Sequence, residues 1–171
     1  MAPLSGMTNA LTELIAEKGV LLADGATGTN LFAMGLEAGE AQERVFELNK
    51  RAAEIARQVV DASDRRIIVA GSVGPTGELL VPLGAMTYDV AVAAFVEQIE
   101  GLKAGGADIA WIETMSAPDE VRAAAQAAIS CGMPYTFTYS FDTAGKTMMG
   151  LDPKNIHLLS DGLEEAPTAF G

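Results

Sequence analysis

Cysteine and histidine are nearly absent from this chain: Cys131 and His157 each stand alone among 171 residues. One cysteine allows no internal disulfide and no cysteine-built metal cluster within the chain. One histidine, in "DPKNIHLL" with no nucleophile partner, excludes a catalytic triad and reads as a helix-surface residue. Basic residues are scarce too, with 11 Lys and Arg against 23 Asp and Glu and a net charge of −12. That balance repels phosphate backbones and anionic headgroups, so neither nucleic acid nor a membrane is expected as a partner. Uninterrupted apolar runs of about 18 residues, the length that spans a bilayer, do not occur. The N-terminal stretch sets Glu13 and Glu17 on an amphipathic pattern and is no signal peptide. A lone thiol fits a reducing, cytoplasmic location.

The apolar fraction of 49% and positive mean hydropathy describe a core-rich globular chain. Its length suits one domain. Residues 8–18 predict a short helix, with Thr8 as cap and Leu11, Leu14 and Ile15 as an apolar stripe. "VLLA" (20–23) predicts a buried strand. In 42–63, Val45, Leu48, Ala52, Ile55, Ala56 and Val59 share one helical face, which is expected to point inward. "RIIVAGSVGP" (66–75) predicts a strand running into a glycine-rich loop, strands follow at 108–114 and 135–141, and a fifth begins at 167–171. Helices are expected at 88–104, at 118–131 (opened by Pro118) and at 153–163. Alternation of this kind with apolar strands predicts an α/β fold with a parallel sheet covered by helices. A doubly wound sheet and part of a (β/α)8 barrel both satisfy it, since a whole barrel takes about 250 residues.

"LLADGATGTN" (21–30) runs from an apolar strand into a carboxylate among glycines and threonines. Asp24-Gly25 is a common turn dipeptide, yet in parallel α/β folds the carboxyl ends of strands are where ligands bind. Glu113, ending the apolar run "DIAWI", offers a second acid at that end. Together the two carboxylates could converge on a substrate ammonium. The loop in "AGSVGPTGE" (70–78) lacks the Lys-Ser/Thr of a P-loop and reads as an ordinary turn or a loop that approaches a ligand. Met86, Met115 and the Met148-Met149 pair read as gap-filling core, with Met115 also a candidate to line a thioether site. Trp111 reads as core, and Glu164-Glu165 as a solvated helix end.

"LLADGATGTNL", "IIVAGSVGPTGE", "GGADIAWIETM" and "DGLEEAPTAFG", in this order, resemble the homocysteine S-methyltransferase family. The resemblance implies a partial (β/α)8 TIM barrel and methyl transfer to the homocysteine thiol to give methionine. Its partners would be homocysteine and a small methyl donor: betaine, S-methylmethionine, methylfolate or methylcobalamin. Zinc is the implied cofactor, because a metal-bound thiol becomes the thiolate nucleophile. By motif, Asp24, Gly25 and Glu113 are the implied substrate-binding residues. The family's three zinc cysteines, one after a "GAN" following the sixth strand and an adjacent pair further on, have no counterpart up to Gly171. Cys131 in "ISCGMPY" falls on the face away from the expected site and is read as structural, so no metal ligand is assigned. The expectation is a single domain over 1–171, truncated after the start of the sixth barrel strand and lacking the second strand near 41–42. Unpaired strand edges and exposed apolar helix faces in an incomplete barrel lead to the expectation that the chain either self-associates or rearranges its sheet. A non-catalytic fragment or assembly module that retains amino-acid binding, and a pterin-binding α/β barrel enzyme, are the alternatives.

Overall fold

Strand–helix alternation organises the computed structural model, which describes residues 8–18, 43–142, 144–160 and 162–171. Helix α1 (Ala10–Lys18) and helix α2 (Val45–Asp61) precede the first described strand, β1 (Ala70–Val73). There follow α3 (Tyr88–Ala104), β2 (Ile109–Met115), α4 (Pro118–Ser130), β3 (Tyr135–Tyr139), α5 (Ile156–Ser160) and β4 (Ala169–Phe170). The four strands form one parallel sheet in the order β1-β2-β3-β4. The expected strand at 20–23 lies outside the described residues, as do Asp24 and Gly25.

Side chains alternate across the sheet, and one of its faces is packed by helices. Val73, Ala110, Ile112 and Phe137 are fully buried there against Phe95, Ile99 and Leu102 of α3 and the alanine-rich side of α4. Small residues let these helices sit close. A Cβ on Gly101 would lie 2.5 Å from the Phe46 carbonyl oxygen, and one on Gly105 would lie 2.2 Å from that of Lys50. The glycines at i and i+4 on α3 thus admit the backbone of α2. This contact qualifies the expected orientation of α2: its edge at Asn49, Lys50 and Ala53 meets α3, while Val45, Leu48, Ala52 and Ala56 of the predicted inward face are half-buried. Ile55 and Val59 stay 50% and 67% exposed. The apolar pattern identified the helix, but the glycine seam chose which side docks.

At the N-terminal ends of the strands, Asp108 ties three elements together. Its Oδ2 accepts from Val69 N at 2.7 Å and pairs with Arg57 of α2, whose Nη2 also donates to the Gly106 carbonyl. The Val69 N–H goes to this carboxylate, and β1 begins at the next residue, Ala70, and runs into the glycine-rich loop as expected. Helix α1 crosses the same end: Asn9 Nδ2 donates to Thr168 Oγ1 beside β4, while Glu13 and Glu17 pair with Arg66 upstream of β1. Its cap is Asn9, not Thr8, since Asn9 Oδ1 accepts from the Leu11 and Thr12 N–H groups. The helix expected at 153–163 is a 3-10 turn, Pro153–Asn155, followed by α5. His157 is exposed on α5, as expected. Met148 and Met149 are exposed at 75% and 38% and do not fill the core as expected.

Candidate functional site at the carboxyl ends of the strands

Register places Ser72, Trp111 and Thr136 side by side, on the face of the sheet opposite α3 and α4. Beyond Trp111 the pairing breaks. Ile112 pairs with Phe137 but Met115 pairs with Tyr139, so three steps along β2 match two along β3. The extra residue is a β-bulge, a device that re-aims side chains at sheet ends and beside active sites. Thr114 absorbs it with φ 61°, a left-handed conformation that a β-branched residue adopts only when its surroundings impose it. Ile112 and Met115 remain fully buried, while Glu113 is half-buried and Thr114 exposed. The bulge therefore presents both residues at the strand tip.

Neighbouring strands fix what the bulge presents. Ser72 Oγ donates to Glu113 Oε1 at 2.6 Å, joining β1 to β2, and Thr114 N reaches Thr138 Oγ1 on β3 at 3.4 Å. Gln98 Nε2 of α3 donates to the Ser72 carbonyl at 3.3 Å. The loop of "AGSVGPTGE" is held from α4: Glu120 Oε1 accepts from Thr76 N at 2.8 Å and from Thr76 Oγ1 at 2.6 Å. Glu120 is only 5% exposed, so these two bonds offset the cost of burying its carboxylate. A rigid frame thus carries a half-buried acid at its open end.

Of the predicted site residues, Glu113 stands at this tip, and Asp24 and Gly25 lie outside the described residues. Met115 faces the helices with no exposed surface, so it lines no thioether site. Trp111 is half-buried on the Glu113 face and does not pack in the helix-covered core. Sequence reasoning missed the roles of Glu120, Thr114 and the Ser72 hydroxyl. Only a first-turn acid after Pro118, set against the threonine of a glycine-rich loop, hinted at the first of them.

Cys131 caps the C-terminus of α4, four residues before β3 begins, at the other end of the sheet. Burial pushes its thiol pKa up, away from thiolate formation. It shares a shallow, open cleft with Glu100, Lys103, Ala104 and Ser130, where the Lys103 ammonium donates to the Cys131 carbonyl, far from Glu113 in the fold.

Residues 26–171 match the homocysteine S-methyltransferase family, well over half of the chain. The chain belongs to that family. Methionine synthase from Mycobacterium tuberculosis is 36% identical over 95 residues, which cover 52% of this chain and 8% of that protein. The homocysteine methyltransferase MmuM from Escherichia coli, in its apo form, superposes with a TM-score of 0.62 at 22% identity. The match covers 91% of this chain and 72% of that one. The metallated form of MmuM gives a TM-score of 0.55 at 20% identity, over 81% of this chain and 51% of that one. At such identities the likeness is one of fold, and the fold is a partial (β/α)8 barrel.

The zinc implied by the family does not fit the described residues. Among them no group of three or more His, Cys, Asp or Glu could hold a metal ion, and Cys131 is at the wrong end of the sheet. Nor is any helix among them long and apolar enough to cross a membrane.

Proposed function

We propose that this chain is the homocysteine-binding part of an S-methyltransferase, a single domain over residues 1–171, with Glu113 receiving the amino-acid ammonium. The supporting observation is the bulge at Ile112/Met115, which sets a half-buried carboxylate at the strand tip with no cationic side chain bonded to it among the described residues. A carboxylate held by a neutral donor keeps its charge for a cation. Asp24 and Gly25 join this reading through their motif after the first strand, as a second acid and a point of close backbone contact.

In the transfer itself, the homocysteine sulfur forms a bond to the methyl carbon of a small donor. The bond from that carbon to its leaving atom breaks, its electron pair departs with the leaving group, and the thiol proton is lost to solvent. The task of this chain's own residues is to hold the amino acid by its ammonium so that the sulfur faces the donor. A second reading, a binding module without catalysis, is favoured by the poor fit of zinc to the described residues. Apolar side chains left exposed on α2 and in the loop after β1, including Ile55, Val59 and Leu83, support self-association in either case.

Methyl transfer to L-homocysteine, assayed with added zinc and each of betaine, S-methylmethionine, methylfolate and methylcobalamin, tests the first reading. Methionine formation with any donor supports it. Homocysteine binding without turnover supports the module, and tight binding of a pterin with no homocysteine binding overturns both. Light scattering across a concentration series checks the association, which a constant monomer mass overturns.

A further inference from the structure

Glu113 has one hydrogen-bond partner among the described residues, and that partner is uncharged. The Ser72 hydroxyl spends its single proton on Glu113 Oε1, leaving Oε2 to a ligand. Ser72 is itself pinned. It lies within β1 opposite Trp111, its carbonyl accepts from Gln98 Nε2, and the same nitrogen donates to Asn49 Oδ1 of α2 at 3.3 Å. A chain of contacts from α2 through α3 and β1 thus ends on one oxygen of the candidate ligand-binding carboxylate.

We propose that Ser72 is a positioning residue that orients Glu113 toward a ligand ammonium and tunes selection for ligands that carry one. The proposal rests on the homocysteine-binding reading above. Its chemical basis is the difference between partners: a lysine or arginine at this point would neutralise Glu113, whereas a hydroxyl fixes its orientation and leaves its charge available. Ser72 is exposed, so a γ-methyl group has room there and the hydroxyl can be kept or removed without crowding.

Calorimetric binding to the full chain under reducing conditions tests this, with L-homocysteine and 4-mercaptobutanoate, the same molecule without its amino group. S72A is expected to weaken homocysteine about tenfold and to leave 4-mercaptobutanoate unchanged, a step typical of one charge-assisted hydrogen bond. S72T should bind homocysteine within about threefold of the parent, while its near-isostere S72V behaves like S72A, so a folding defect in S72A would not leave the question open. In an E113Q background, S72A should add no further loss. Parent-like homocysteine affinity in S72A and S72V beside a clear loss in E113Q overturns the role of Ser72 and leaves the homocysteine reading standing. An equal loss for both ligands shows a merely structural effect and also overturns the proposal. If the parent chain binds no homocysteine, or E113Q binds it as well as the parent, the underlying reading fails and Ser72 fails with it.

Discussion

The two faces of the sheet are built from alternate residues of the same strands, yet they carry opposite burdens. On the helix side, Val73, Ala110, Ile112 and Phe137 have no exposed surface, and Phe137 stacks on Phe170 at 5.6 Å and meets Tyr139 edge-on at 5.8 Å. On the other side, Ser72, Trp111, Glu113 and Thr138 are half-buried or exposed, and two of them hold the hydrogen bond that spans β1 and β2. One face supplies stability through area removed from water. The other keeps polar groups and a strained threonine, which the packed face must stabilise. The candidate site lies toward the strand tips on the face of the sheet that the described helices do not pack against.

Substitutions can break that division. Phe137→Ala should have the largest effect, a loss of about 4 kcal/mol in unfolding free energy from its fully buried position. Denaturant unfolding checks the loss, and an unchanged midpoint would show that the helix side does not carry the fold. Glu120→Ala acts between the two faces. It strands the Thr76 N–H and hydroxyl, with an expected cost of about 2 kcal/mol and a loosened loop after β1. Hydrogen exchange at Thr76 reads the loosening directly.

Alkaline pH probes the helix side through its buried tyrosines. Burial raises the phenol pKa of both Tyr135 and Tyr139 above the ordinary value near 10. Their contribution is therefore whole below the unfolded pKa and is lost as pH climbs through the raised folded values. A thermal midpoint that falls above pH 10, with a shallower fall in Tyr139→Phe, is the expected result. Tyr139 suits this test because its buried hydroxyl has no hydrogen-bond partner among the described residues, so removing it leaves none of them unpaired.

The smallest change in stability is the sharpest test of the comparison. Thr114→Gly should raise stability by less than about 1 kcal/mol, because relief of the left-handed strain outweighs glycine's extra unfolded-state entropy. The same variant should weaken homocysteine binding, since the bulge no longer holds Glu113 firmly. If stability and binding rise together, the strain has no part in positioning the acid.

Alternation and helical periodicity determined much of this protein before any coordinates. The strands around 70–73, 109–115 and 135–139, the helices at 88–104 and 118–130 and the parallel α/β class all follow from residues whose neighbours in sequence are also neighbours in burial. Glu113 was legible as a strand-end acid for the same local reason. Tertiary structure alone decided which edge of α2 docks, because the glycines that admit it belong to α3. It alone decided that Asn9 caps α1 while reaching Thr168, and that the Met148-Met149 pair stays outside the core. It also put Thr114 into a left-handed bulge and brought the Ser72 hydroxyl to Glu113, 41 residues further along the chain. Register between strands and the fit of one backbone against another are set by contacts distant in sequence, and local patterns carry no record of them.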